Sequence, residues 1–120
     1  MRRLRKSFHY AFEGLGYVLK TQPNMRIHSV MAAIAIALGF IFHVSHAEWL
    51  ALVLVIGFVM ILEVINTAVE TLVDLYTEEF NHLAKIAKDT AAAAVLCMAI
   101  ISVIVGILIF APKVLALFMN

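Results

Sequence analysis

Residues 49–63 read WLALVLVIGFVMILE: a tryptophan, an unbroken apolar run from Leu50 to Leu62, and then a glutamate. Val64, Ile65, Val69 and Val73 continue the helical pattern beyond Glu63, so a helix is expected over about 49–75, longer than the ~20 residues that cross a bilayer core. Two more runs of the same kind flank it. Residues 27–47 and 90–111 are each apolar and long enough to span, the first bounded by Pro23 and Asn24, the last closed by Pro112 and Lys113. A chain that is 64% hydrophobic, with a mean hydropathy of +1.01, is far more apolar than a soluble domain, in which about half the residues are apolar. Lipid is therefore its solvent, and an all-α integral membrane protein with three spans is the expected fold.

Ahead of the first span, Leu4, Phe8, Ala11, Phe12, Leu15 and Leu19 recur at helical spacing opposite Arg5, Lys6, His9 and Glu13. This pattern over about 4–20 predicts an amphipathic helix on the membrane surface, its stripe in the acyl boundary or against the other helices. With no small-residue cleavage site after it, the segment reads as mature protein, not a signal peptide. The whole chain, 1–120, reads as one domain without repeats. Arg2, Arg3, Arg5, Lys6, Lys20 and Arg26 precede the first span, and Lys85 and Lys88 lie between the second and third, against Lys113 alone at the other end. The positive-inside rule then puts the N-terminus in the cytoplasm and the C-terminus outside. So short a chain has little interior in which to hide polar groups from hydrocarbon, which makes an oligomer the expected state. Cys97 is expected to be a packing residue, and the Ala35/Gly39 pair a place for close helix approach. Nothing points to a nucleic acid partner.

Polar residues carry the function. At about 100° per residue, Glu63, Asn66, Glu70 and Asp74 lie within roughly 80° of one another, one stripe on the second span. Counting inward from Trp49 at 1.5 Å per residue, Glu63 is about 21 Å deep, just inside a hydrocarbon core of about 30 Å, and Glu70 stands at its boundary. An ionised carboxylate at mid-helix costs on the order of 2.5–3.5 kcal/mol, so Glu63 needs a partner, a proton or a task. The bland alternatives make Asp74 a solvated residue, pair Glu63 with a lysine, and make Lys88 a snorkelling anchor and Asp89 a helix N-cap. Taken together, these carboxylates, amide and cation suit a divalent metal with a polyphosphate, and hard oxygen donors suit Mg²⁺. His43 and His46 lie in the outer loop and read as interfacial residues. His28 and His82 are nearer the acids, with no role assigned.

Glu63-x-x-Asn66-Thr67-Ala68-x-Glu70-x-x-Val73-Asp74, followed by His82-x-x-Ala84-Lys85-x-Ala87-Lys88-Asp89, resembles the pattern of the small prokaryotic diacylglycerol kinase family. The likeness extends over nearly the whole chain. Glu48-Trp49 and Ile109-Phe110-Ala111-Pro112-Lys113 look like its Gram-positive branch, whose characteristic substrate is undecaprenol. The resemblance implies an ATP-dependent lipid kinase of the bacterial cytoplasmic membrane, a homotrimer with sites shared between subunits. It implies that Glu63 is the catalytic base, Glu70 a metal ligand, Asn66 a polar residue of the same site, and Lys88 and Asp89 nucleotide contacts. In the family a metal-ligand glutamate usually precedes the first span, and the matching residue here is Gln22, a neutral amide. Soluble kinase motifs are absent: the chain has no GxxxxGK, HRD or DFG. The rival functions are a diacylglycerol kinase, a small transporter or proton-relay subunit, and a helical interaction partner held by its polar stripe. Proton relays place acids near the midplane, whereas the middle of every span here is apolar.

Overall fold

The computed structural model describes all residues, Met1–Asn120. It is all-helical: α1 (Arg2–Thr21), α2 (Pro23–Ile41), α3 (His46–Tyr76) and α4 (His82–Met119), of which α2, α3 and α4 are long and apolar enough to cross a membrane. Helix α3 is the centre, with α4 and α2 packed against it. Only 13 of 120 residues are buried, and the chain exposes 9138 Å². A compact soluble protein of this mass exposes about 6,500 Å². Large apolar side chains are exposed along all four helices, the expected surface of a protein dissolved in lipid.

Helix ends follow from local chemistry. Gln22 alone separates α1 from α2, in an extended conformation (φ −107°, ψ 107°), because the ring of Pro23 disfavours helical geometry in the residue before it. Arg26 reaches back across this joint, donating from Nε to the Leu19 carbonyl at 3.1 Å and from Nη2 to that of Lys20 at 2.8 Å. Two orphan carbonyls at the end of α1 are thereby satisfied. Ser45 and Glu48 form a reciprocal capping box at the start of α3. For that reason the first span ends earlier than the hydropathy suggests: Phe42 to Ser45 turn, with His43 at φ +49°, and His46 and Ala47 already belong to α3.

At about 1.5 Å per residue, α2 is about 28 Å long, matching a core of about 30 Å, while α3 and α4 are about 46 and 57 Å and must overhang it. The third span also departs from the expected ends. Asn81 Oδ1 caps α4, accepting from the amides of Leu83 (3.0 Å) and Ala84 (3.1 Å), so the helix starts well before residue 90 and Asp89 is not its N-cap. At the far end α4 runs through Pro112 to Met119. Lys113 there donates to Glu48 at 2.7 Å, tying the end of α4 to the start of α3 and holding the Glu48 carboxyl below its usual range.

Near that end Val44, Leu52 and Ile109 are buried together, with Phe42 against Phe110 at 6.2 Å between centroids. Trp49 lies on Gly39, and its ring is 4.9 Å from that of Phe40. Gly39 thus receives an indole where a neighbouring helix backbone was expected. A Cβ at residue 39 would sit 2.6 Å from Trp49 Cη2. Gly39→Val is expected to destabilise the protein by about 1–3 kcal/mol, as overpacking does. Thermal unfolding in detergent, followed through Trp49, the chain's one tryptophan, reads this directly.

One further expectation is corrected. Cys97 is exposed on α4 and does not pack inside. On α1 the stripe residues Leu4, Phe8, Phe12, Leu15 and Leu19 are exposed, and Val18 is the one residue it buries.

Candidate functional site

One end of the bundle gathers the polar residues. Glu63, Asn66 and Thr67 are the buried polar side chains of the chain, at 1%, 5% and 3% exposure. Thr67 Oγ1 donates to the Glu63 carbonyl at 2.9 Å, and Thr71 repeats the bond one turn on, to Thr67 at 2.8 Å. These hydroxyls satisfy themselves along α3. Neither carboxylate oxygen of Glu63 has a hydrogen-bond partner. The pairing with a lysine that a purely structural role requires does not form.

Asn66 Nδ2 donates to Glu70 Oε1 at 3.3 Å, the i to i+4 contact expected of one helix face. Its Oδ1 is buried without a partner. Glu63 and Asn66 line a cavity of about 220 Å³, whose other walls are Asn24, Ile27 and His28 of α2 and Ala92, Val95, Leu96 and Ala99 of α4. An unpaired carboxylate and an unpaired amide oxygen thus share one small chamber. Burying such groups unpaired costs several kcal/mol on general grounds, so their persistence marks a site where they are used.

Lys88 and Asp89 are neighbours in sequence and part in space. Lys88 Nζ donates to Asp74 Oδ1 at 2.5 Å, bridging α4 to the polar stripe of α3. Asp74 and Glu70 hold the Lys88 ammonium above the usual lysine range, chiefly through the Asp74 hydrogen bond. Asp89 pairs with Lys85 one turn earlier on α4. Gln22, at the joint, donates to Thr21 Oγ1 at 3.4 Å. No three His, Cys, Asp or Glu side chains of the chain converge into a metal cage. His43 and His46 are exposed at the opposite end. The structure adds two residues to this region: Arg26, which fixes the joint, and His28, which lines the Glu63 cavity.

A larger apolar groove of about 610 Å³ adjoins the cavity at His28 and Ala99, floored by Leu52, Val55 and Val59 of α3. On α4 it runs from Ala99 to Val114, about 22 Å at the helical rise. Fifteen of its 18 lining residues are hydrophobic. A buried acid therefore stands at the end of a trough suited to hydrocarbon.

Residues 9–110 match the family model described as prokaryotic diacylglycerol kinase. The chain belongs to the prokaryotic diacylglycerol kinase family. It is 42% identical over 113 residues to the undecaprenol kinase of Bacillus subtilis (strain 168), covering 94% of this chain and 92% of that one. It is 44% identical over 112 residues to a diacylglycerol kinase of Synechocystis, covering 92% of this chain and 64% of that longer protein. With the diacylglycerol kinase of Escherichia coli (strain K12) it shares 30% identity over 102 residues, 85% of this chain and 84% of the other. Membership of this family agrees with the resemblance carried by Glu63, Asn66, Glu70 and Lys88-Asp89.

Proposed function

We propose that this member of the family phosphorylates the hydroxyl of undecaprenol from Mg-ATP at the cytoplasmic face of the bacterial membrane, supplying a carrier-lipid phosphate. The observation that carries the proposal is the unpaired, buried Glu63 carboxylate where a polar chamber meets an apolar groove. A lipid alcohol fits that junction, with its chain in the groove and its hydroxyl at the acid. The named activity of the Bacillus relative supports undecaprenol as the substrate.

Glu63 takes the hydroxyl proton as the oxygen attacks the γ-phosphorus, and the bond to the bridging oxygen breaks with its electron pair leaving on ADP. Phosphoryl transfer needs chiefly positioning and charge neutralisation, so no soluble-kinase loop is required. Glu70 and Asn66 supply a carboxylate and a free amide oxygen, a donor set that fits Mg²⁺, which takes one or two carboxylates beside phosphates and waters. When bound, the ion screens the phosphate charges that would repel an incoming nucleophile. Gln22 offers a further amide oxygen. Lys88 binds phosphate oxygens, exchanging its Asp74 partner for them, and Asp89 contacts the nucleotide beside it.

The protein works as a homotrimer of one-domain protomers. The apolar surface that each chain exposes, and a donor set completed by no single chain, both favour sites shared between subunits. The basic residues of α1 lie at the cytoplasmic surface with the Leu4–Leu19 stripe in the acyl boundary, so the C-terminus is outside.

Phosphate transfer from Mg-ATP to undecaprenol and, separately, to diacylglycerol tests the proposal, with purified protein in lipid and Glu63→Gln as the blank. Preference for undecaprenol is expected; preference for diacylglycerol would reassign the substrate, and ATP-independent solute flux would revive a transport role.

Gly106 gives a finer test. It lines the groove, and a Cβ there would meet no atom within 4 Å. Gly106→Leu should fill the groove without straining the fold. The expected result is a KM for undecaprenol raised about 10-fold, the scale on which apolar pockets discriminate, with that for a short prenol alcohol unchanged.

A further inference from the structure

His28 is the one side chain in the Glu63 cavity that is able to carry a positive charge. Every other candidate is accounted for. Helix α4 lines the cavity with Ala92, Val95, Leu96 and Ala99 alone, and its nearest cation, Lys88, is held by Asp74. From α2, Asn24 is neutral, and Arg26 is committed to the carbonyls of Leu19 and Lys20. On α3, Asn66 gives its amide hydrogen to Glu70 and presents only an acceptor, while Glu70 adds a second negative charge. Helix α1 contributes nothing to the walls. His28 is half-buried, and besides the cavity it lines the apolar groove. An imidazole, unlike a lysine, adds such a charge near neutral pH without a long aliphatic stem.

We propose that His28 is the positioning residue of Glu63: the two side chains line one chamber with no hydrogen bond between them, and the imidazolium charge facing the carboxylate across it keeps the acid ionised at the junction where the lipid hydroxyl arrives. This rests on the lipid kinase reading above. An opposite charge within ~4–6 Å favours the ionised form of a carboxylate by 1–3 pH units, enough to decide whether a base buried at the edge of hydrocarbon works at neutral pH. The same imidazole borders the groove, so it stands where the groove and the chamber meet.

Two measurements on the full-length protein in lipid test this. The first is the pH dependence of kcat for lipid phosphorylation in the wild type, His28→Gln and His28→Lys. His28→Gln is expected to move the acid limb to higher pH by about one unit or more, lowering kcat about 10-fold at neutral pH while leaving KM for ATP unchanged. His28→Lys, which keeps the cation, is expected to return the limb towards the wild-type position. A limb that stays in place in His28→Gln, or a lysine that does not restore it, overturns the proposal. The second is an infrared titration of the Glu63 carboxyl, assigned by its loss in Glu63→Gln, which needs no turnover. Protonation at higher pH in His28→Gln than in the wild type supports the pair, and coincident titrations reject it. A wild type that phosphorylates no lipid while this infrared difference persists would sink the kinase reading and leave the pair standing.

Discussion

Glu63→Gln is expected to lower lipid phosphorylation about 10³-fold, within the 10²–10⁴ that a general base contributes, and to leave the protein at least as stable as before. Glutamine keeps the volume and removes the capacity to take a proton. No hydrogen bond or ion pair is lost with it, since both carboxylate oxygens are unpartnered, and a neutral amide is cheaper to bury than a charge. Parallel measurement of initial rates and thermal unfolding in detergent checks both halves. Full activity in the variant rules out Glu63 as the base. A large fall in melting temperature would instead assign it a structural role, contrary to its missing partners.

The second large effect concerns the metal. Glu70→Gln is expected to raise the Mg²⁺ concentration for half-maximal rate by at least about 10-fold, because a neutral amide replaces the one carboxylate of the donor set. Gln22→Glu should shift the same midpoint in the opposite direction by restoring a negative ligand at the joint. Titrating activity with Mg²⁺ at saturating ATP distinguishes the two, provided free ion is buffered. A Mg²⁺ requirement unmoved by Gln22→Glu would show that residue 22 lies outside the metal site in this chain.

Much of this architecture is legible in the sequence because lipid imposes a simple rule: apolar runs long enough to cross must be helices. The stripe of Glu63, Asn66 and Glu70 is equally readable, since it lies on one helix and needs only the 3.6-residue period. What periodicity does not carry is the relation between helices. Lys88 and Asp89 look like a unit in sequence, yet adjacent residues on a helix point about 100° apart, so one reaches Asp74 and the other turns back to Lys85. His28 gives no pattern of its own and acquires meaning only when α2 lies beside Glu63. Gly39 pairs with Ala35 in a spacing that suggests backbone contact, but Trp49 from across the turn takes the space. Pro112 carries a stop signal, yet α4 continues through it to Met119.

The single-residue joint at Gln22 has a mechanical consequence. Two helices separated by one extended residue, with Arg26 bonded across the bend to the carbonyls of Leu19 and Lys20, turn together like the arms of a bell crank. If α1 lies at the headgroup level as proposed, a change in bilayer thickness or surface charge that tips it also tilts α2. Asn24, Ile27 and His28, the wall that α2 gives to the Glu63 chamber, lie within two turns of the pivot. On that placement, the composition of the surrounding membrane would reach the wall of the Glu63 chamber through a lever arm, before any substrate molecule arrives.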